Sequence, residues 1–171
     1  MAESGTGSPL SADADIYIAG ITAANARAVA RWRYPPPFDF YDGTDSEVAV
    51  MLDPANCYSA VHADGQFVGY VCVGPDALVA GQEPTPGVAD IGWGFRPDLT
   101  GQGLASQWLS EAIELLMGSD PALTQRVVVA AWNERSQAVA TRLGFGDPVK
   151  HVNDDGEWVV MTRSVRGYAV G

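Results

Sequence analysis

The sequence has little cysteine and little histidine, with two of each among 171 residues. Cys57 and Cys72 stand in apolar, strand-like runs, and neither is followed by a second Cys or His at the spacing of metal ligands. This scarcity argues against a disulfide-rich scaffold and against a zinc site. We therefore expect no metal, and two buried free thiols in a reducing compartment.

Basic residues are also few, since ten Lys and Arg stand against 21 Asp and Glu, giving a formal net charge of −11. Nucleic-acid binding needs a basic surface that neutralises phosphates, so the composition argues against a nucleic-acid partner. The acidity favours a cationic partner such as an amine, or it serves solubility alone.

Long apolar runs and targeting signals are missing as well. The sequence has no stretch of about 18 apolar residues, so we expect no transmembrane helix and no membrane partner. Residues 1–14 are rich in Ser, Gly and Ala and lack the basic and apolar regions of a signal peptide. We expect them to be a flexible N-terminal tail before a single domain at 15–171, in a cytoplasmic protein.

The rest of the chain alternates strand and helix patterns. Strands are predicted at 15–19, 58–63, 66–73, 88–95, 125–132, 149–152 and 158–163. Helices are predicted at 22–32, 45–52, 103–117 and from 133 to just before the glycine at 144. This order predicts an α/β fold with a mixed sheet.

The most informative stretch is residues 91–106, which reads as a strand, a proline-containing loop, and a glycine turn that opens into a helix. Such a turn directs several backbone N–H groups toward one point at the positive end of a helix dipole, which suits a phosphate or pyrophosphate. A Walker A loop is excluded, because no Gly-Lys-Ser/Thr follows. A dinucleotide site fits poorly, because the strand ends at Phe95 and no acidic residue ends the next strand.

The glycine turn resembles a motif of the GNAT acyltransferase superfamily, Gln/Arg-x-x-Gly-x-Gly/Ala between a strand and a helix. Gly103 and Ala105 match the motif, and Thr100 stands where Gln or Arg is usual. Pro97 before the turn and the amphipathic helix after it also agree with the family.

A second motif follows at the distance usual in this family. Asn133-x-x-Ser136 opens a helix that ends in Gly144-Phe145, similar to the family's Asn-x-x-Ala/Ser helix ending in Gly-Phe. The resemblance covers roughly residues 15–163. It implies a mostly antiparallel, twisted GNAT-type sheet flanked by about four helices.

The resemblance implies an enzyme that transfers an acetyl group from acetyl-CoA to a primary amine of a small molecule or peptide. The implied cofactor-binding residues are Trp93, Gly94 and Phe95 beside the pantetheine arm, Gly101, Gln102, Gly103, Leu104, Ala105 and Ser106 around the pyrophosphate, and Asn133. A homodimer is possible in this superfamily. The alternative is a non-catalytic protein of the same fold that binds or senses acyl-CoA.

The amine must lose a proton before it attacks, because an alkyl ammonium has a pKa of about 10.4. Asp90 precedes the cofactor segment, near where many GNAT members place a glutamate, and is the predicted general base. Its alternative role is a salt bridge at a strand edge. Glu83, His62 and His151 are weaker candidates for the base.

A proton donor for the departing thiolate is harder to assign. In this family a tyrosine commonly lies seven residues after the motif asparagine, and that position is Ala140 here. Another tyrosine or a water can serve, the acid can be dispensable because a thiol of pKa about 8.5 leaves tolerably as the anion, or the protein binds acyl-CoA without efficient transfer.

The acceptor side is predicted at residues 32–42, which are dense in aromatics and prolines. Aromatic rings with Asp39 and Asp42 nearby suit a cation, and Tyr34 and Tyr41 are the predicted acceptor-binding residues. The alternative is a packed loop whose rings simply cover the sheet.

Overall fold

The computed structural model of the chain describes residues 9–118 and 124–164, in which seven strands form one sheet. The strands are β1 (Ile16–Gly20), β2 (Tyr58–Ala63), β3 (Gln66–Val73), β4 (Val88–Phe95), β5 (Thr124–Ala130), β6 (Gly146–Asn153) and β7 (Gly156–Ser164). Their order is β1-β2-β3-β4-β5-β7-β6, and every neighbouring pair is antiparallel except β4 and β5. The predicted mixed, mostly antiparallel sheet is confirmed.

Four α-helices accompany the sheet: α1 (Ala23–Ala30), α2 (Ser46–Leu52), α3 (Ala105–Met117) and α4 (Glu134–Arg142). Two of these helices begin at a capping side chain. The Thr22 hydroxyl accepts a hydrogen bond from the Asn25 backbone N–H at the start of α1, and Asn133 Oδ1 accepts one from the Ser136 N–H at the start of α4. Among the described residues, no helix is long and apolar enough to cross a membrane.

The helices cover both faces of the sheet. On one face, α3 buries Trp108, Leu109 and Ile113 against apolar residues of β2 to β5, and α4 adds Ala140 to the same core. On the other face, α1 and α2 enclose a smaller core around Trp32, whose ring stacks on Phe67 and Tyr70 of β3. Segments between these two layers can therefore line a cleft in the sheet.

The segment before β1 packs against the domain from residue 9 onward. The indole N–H of Trp108 donates to the carbonyl of Ser11 at 3.0 Å, and Ala14 belongs to the main core. Leu10 and Ala12, within the segment predicted to be a flexible tail, also pack against this core. Residues 1–8 lie outside the described part of the chain.

Several strand boundaries differ from the prediction, and those of β5 and β6 have a clear physical reason. β5 ends at Ala130, so Trp132 falls in the turn before α4. β6 begins at Gly146 and includes Pro148, where the register with β7 shifts and Asp147 has a φ of 51°. The sequence pattern missed this part of β6 because proline disfavours a central strand, but β6 is an edge strand and tolerates it.

The prediction that both thiols are buried is wrong for one of them. Cys72 on β3 is buried, whereas Cys57 is exposed. Cys57 follows a 3₁₀ turn at Pro54–Asn56 with a φ of 47°, and its thiol donates to the Pro54 carbonyl outside the sheet. An apolar sequence neighbourhood does not bury a residue that ends a turn.

Candidate functional site

The parallel strands β4 and β5 separate part of the way along the sheet. They are paired only where Val88–Asp90 faces Thr124–Arg126. Beyond this point β4 continues to Phe95 and pairs, within the described residues, with β3 alone, whereas β5 continues to Ala130 paired with β7. Backbone groups on the β5 side of residues 91–95 therefore lack a strand partner and face an opening in the sheet.

Asp90 lies at the last paired position before the strands separate. Its carboxylate is bound by Arg126, with Nε donating to Oδ1 at 2.5 Å and Nη2 donating to Oδ2 at 3.1 Å. Asp90 is also 4% exposed and does not line the cavity described below. This arrangement disfavours the predicted role of Asp90 as general base and agrees with the alternative of a salt bridge.

A cavity of about 360 Å³ fills the opening between β4 and β5. It contains residues from both predicted sites, the cofactor segment and the aromatic acceptor segment. The predicted residues that line it are Tyr34, Tyr41, Trp93, Gly94, Phe95, Gly101, Ala105 and Asn133. Its volume lies within the usual range for small-molecule sites.

A second cavity, of about 280 Å³, adjoins the first at the glycine turn, and the two share Gly101, Ala105, Arg135 and Val139. The predicted Gly103, Leu104 and Ser106 line only the second cavity. Together the two cavities extend from the start of α3 to the open side of β4. Such a shape suits a long ligand with a phosphate group at one end.

The glycine turn has the backbone conformation that the motif requires. Gly101 and Gly103 have φ values of 74° and 75°, which favour glycine, and a Cβ added at Gly103 would meet no atom within 4 Å. No side chain among the described residues caps the N-terminus of α3. The first N–H groups of α3 therefore remain available at the positive end of its dipole.

Arg135, in the first turn of α4, brings a cationic side chain to the glycine turn. Its guanidinium atoms lie 3.4 Å from the position that a Gly101 Cβ would occupy, and its Cζ lies 4.4 Å from the centre of the Phe38 ring. Arg142, the last residue of α4, also lines the second cavity. Sequence analysis missed both, although an arginine two residues after the motif asparagine was the available signal.

Gln102 is the one predicted cofactor residue that lines neither cavity. Its side-chain amide donates to the Asp98 carbonyl at 2.6 Å and braces the loop before the turn. The weaker base candidates also lie elsewhere. Glu83 is exposed, His151 bonds the Ala80 carbonyl, and the ring of His62 lies between those of Tyr17 and Phe67.

Gly94 makes room for an aromatic ring on the neighbouring strand. It is the register partner of Tyr70, and a Cβ at Gly94 would lie 2.6–2.7 Å from the outer ring atoms and hydroxyl of that tyrosine. Gly92 makes room for Cys72 in the same way. The β3–β4 register is regular over this stretch, so these glycines serve close packing between the two strands.

The acceptor side contains Tyr34 and two carboxylates. The Tyr34 hydroxyl donates to the Phe95 carbonyl at 2.6 Å, and its backbone N–H donates to Asp42 Oδ1 at 2.7 Å. Asp42 and Glu47 both line the large cavity and are half-buried. Burial, together with the charges of Asp42 and Glu47, raises the pKa of Tyr34 above its ordinary value, so its hydroxyl stays protonated.

The aromatic residues of the acceptor segment form a cluster at the mouth of the large cavity. The ring of Phe40 meets those of Tyr41 and Trp132 edge-on, at centroid distances of 5.0 and 5.9 Å. Phe40 and Trp132 are 55% and 42% exposed, so the cluster forms one wall of the cavity and also faces solvent. Its members pack against one another, and Phe40 and Tyr41 also line the cavity.

Tyr41 is hydrogen-bonded to Asn133, and both residues line the large cavity. The Asn133 side-chain Nδ2 donates to the Tyr41 hydroxyl oxygen at 3.1 Å, while Oδ1 of the same side chain caps α4. Burial raises the pKa of Tyr41 above its ordinary value, and the bond from Asn133 opposes this shift. Within residues 9–118 and 124–164, no three His, Cys, Asp or Glu side chains gather as metal ligands would.

Comparisons with known proteins identify the family and the fold. The sequence profile of the acetyltransferase (GNAT) domain family matches residues 8–146, which is most of the chain. No curated relative matches the chain by sequence.

Solved acetyltransferases share the fold at low sequence identity. Aminoglycoside acetyltransferase AAC(6')-Ib in complex with coenzyme A and kanamycin is 18% identical, with a TM-score of 0.69 over 88% of this chain and 95% of that one. A GNAT-family acetyltransferase from Bacillus anthracis is 13% identical, with a TM-score of 0.67 over 91% and 97% of the two chains. Ribosomal-protein-S5-alanine acetyltransferase from Vibrio fischeri is 12% identical, with a TM-score of 0.59 over 88% and 93%.

Proposed function

The chain belongs to the GNAT acetyltransferase family, and we propose that it transfers the acetyl group of acetyl-CoA to a primary amine of a small molecule or peptide. One observation carries this proposal. Two adjoining cavities lead from an arginine-lined helix N-terminus to an aromatic cavity beside the unpaired side of β4. A phosphate-bearing donor and an amine acceptor can therefore meet at one strand.

The residues of the second cavity suit the phosphates of acetyl-CoA. The open N-terminus of α3, the two glycines with positive φ and the guanidinium of Arg135 would hold the pyrophosphate. Arg135 supplies the cationic contact that the motif usually places at the position of Thr100. When bound, acetyl-CoA supplies a thioester whose carbonyl carbon the amine attacks.

Strand β4 would align the rest of the acetyl-CoA molecule. The side of residues 91–95 that faces the cavity has no partner strand, so its N–H and C=O groups can pair with the amides of an extended ligand, as an added strand would. One N–H of this segment would then lie near the thioester oxygen. A fixed backbone donor there stabilises the negative charge that develops during attack.

Asp42 and Glu47 suit the acceptor amine. Both carboxylates line the large cavity beside Tyr34, whose hydroxyl is anchored to the β4 carbonyl of Phe95. A half-buried carboxylate attracts an ammonium group and can accept its proton, directly or through water. We assign these two residues, and not the arginine-bound Asp90, to the capture of the amine.

The experiment is a measurement of thiol release from acetyl-CoA in the presence of single amines. The panel contains kanamycin, an alanine-initiated peptide, a linear polyamine and an aromatic amine. The first two are included because structurally similar enzymes are named for an aminoglycoside and for an alanine acceptor. Acetylation of at least one amine, identified by the added acetyl mass, is the expected result.

The competing function is that of an acyl-CoA-binding protein without catalysis. Ala140 is the observation that favours this function, because its side chain is buried in the core and presents no hydroxyl to the cavity. Acetyl-CoA that raises the melting temperature without any amine turning over would support this reading. No rise in melting temperature would refute acetyl-CoA as the ligand altogether.

A further inference from the structure

We propose that Tyr41 is the residue that protonates the departing coenzyme A sulfur. This inference rests on the proposed acetyl transfer and concerns the leaving-group side of the same cavity. Cleavage of a thioester by an amine releases a thiolate, and a positioned acid typically accelerates such a step by about 10²–10⁴. The acid must be an O–H group in the cavity that does not already donate a hydrogen bond to another protein group.

The hydroxyl of Tyr41 meets that requirement. Its oxygen accepts a hydrogen bond from Asn133 Nδ2 at 3.1 Å, so its own hydrogen points elsewhere. Among the described residues, no side chain or carbonyl accepts a hydrogen bond from it. The hydrogen is therefore free for a ligand in the cavity that Tyr41 and Asn133 both line.

The other two tyrosines of this cavity are placed differently. The Tyr34 hydrogen is already donated to the Phe95 carbonyl at 2.6 Å. Tyr70 lies flat against β4, with its hydroxyl within 2.7 Å of the place that a Gly94 Cβ would take. Both stand on the face of the sheet that holds α1 and α2, next to the carboxylates assigned to the amine.

Tyr41 instead ends a 3₁₀ turn at Phe38–Tyr41 that contacts the start of α4, through the bond from Asn133 and through Arg135 over the Phe38 ring. The donor arm would lie between β4 and this side, because the glycine turn and Arg135 fix its phosphate end there. The sulfur is part of the donor and leaves on the donor's side. Of the three tyrosines, Tyr41 is therefore the one on the leaving-group side.

The proposed step is balanced in atoms and charge. When the C–S bond of the thioester breaks, its electron pair goes to sulfur, and the hydrogen of the Tyr41 hydroxyl moves to that sulfur. Coenzyme A then leaves as the thiol. The Tyr41 phenolate, held by Asn133 Nδ2, regains a proton through solvent from the nitrogen that has become the amide.

The first test measures binding and needs no acceptor. Isothermal titration compares coenzyme A with desulfo-coenzyme A, which lacks the thiol sulfur. We expect the wild type to bind coenzyme A about fivefold more tightly, as one hydrogen bond would give, and Tyr41→Phe to bind the two ligands equally. Tyr17→Phe, at an exposed position on β1, is the matched control and keeps the preference.

The second test measures turnover with the amine that the wild type acetylates fastest. Tyr41→Phe should lose about 10²–10⁴ in kcat with a KM for acetyl-CoA within about threefold of the wild type. Tyr17→Phe, on the exposed side of β1, should keep the kcat of the wild type. Circular dichroism and melting temperature check that Tyr41→Phe, which keeps the ring in its aromatic cluster, is folded.

The outcomes separate this inference from the proposed function. A Tyr41→Phe variant that keeps the thiol preference and full kcat overturns the role of Tyr41, and a loss of the thiol preference in Tyr70→Phe reassigns it to Tyr70. Binding of coenzyme A with a thiol preference that depends on Tyr41, but without transfer to any amine, refutes the proposed function alone. Absence of coenzyme A binding refutes both.

Discussion

Asp90 and Arg126 form a two-point ion pair at the last position where β4 and β5 are in register. One residue further along, the strands separate around the cavity. The guanidinium of Arg126 also donates to the Glu83 carbonyl at 3.0 Å, so the pair ties the two strands to the loop that precedes β4. The pair thus stands at the inner end of the opening and holds the strands together where the opening begins.

We predict that Asp90→Asn lowers stability more than it lowers turnover. Removing one partner from a buried ion pair leaves the other charge uncompensated and costs about 3–5 kcal/mol. For a chain of this size that corresponds to a fall of roughly 6–12 °C or more in melting temperature, which differential scanning calorimetry measures. The kcat per folded molecule should stay within about tenfold of the wild type.

Glu157→Gln is the matched control, because it breaks the exposed Lys150–Glu157 ion pair on the outer hairpin. Exposed pairs contribute about 1 kcal/mol or less, so its melting temperature should change little. An Asp90→Asn variant that melts like the wild type but has lost most of its kcat would reinstate Asp90 as the general base.

The sequence alone predicted the glycine turn and the helix that follows it. Gly101, Gly103 and the start of α3 form a local motif, in which the turn, the helix and the N–H groups come from neighbouring residues. The Asn133 cap is equally local. Features of this kind depend on backbone conformation over a few residues, and the residue types record that conformation directly.

The sequence could not predict features that depend on which distant residues meet. Asp90 and Arg126 are 36 residues apart and Tyr41 and Asn133 are 92 apart, and nothing in a single sequence records such pairings. The sequence therefore does not show that Arg126 binds the carboxylate of Asp90. Arg135 was missed for the same reason, because its relation to the glycine turn exists only after α3 and α4 pack side by side.

We predict that Gly103→Trp abolishes tight binding of acetyl-CoA without unfolding the protein. Open space surrounds a Cβ at this position, so the indole can be accommodated, but it would fill the cavity in front of the α3 N-terminus. Loss of several charge-assisted hydrogen bonds to phosphate should weaken binding by roughly 100-fold or more. Isothermal titration with acetyl-CoA measures the change.

Gly65→Trp controls for backbone strain. Gly65 has a φ of 78°, close to the 75° of Gly103, and also has no atom within 4 Å of its Cβ position, but it lies in the β2–β3 hairpin. Its affinity for acetyl-CoA should match the wild type. Equal weakening in both variants would show that strain, and not obstruction of the phosphate site, explains the loss.

We predict that Arg135→Gln weakens acetyl-CoA binding by roughly 10- to 100-fold, because a hydrogen bond to a charged group contributes about 1.5–3 kcal/mol. The affinity should also become less sensitive to salt, since one cationic contact to the phosphates is gone. Titrations at low and high sodium chloride measure both effects. Arg27→Gln removes the same charge from an exposed position on α1 and should change neither. Unaltered affinity in Arg135→Gln would remove it from the phosphate site.

The two cysteines should react very differently with dithionitrobenzoate, because only Cys57 is exposed. Burial, followed by the charge of Asp76, raises the pKa of Cys72 from 9.0 to about 11, so at pH 8 its thiol is both inaccessible and protonated. The native chain should consume one equivalent of reagent rapidly at pH 8, and the denatured chain should consume two. In Cys57→Ser the rapid native reaction should vanish, whereas a rapid reaction that persists there would mean that β3 opens far enough to expose Cys72.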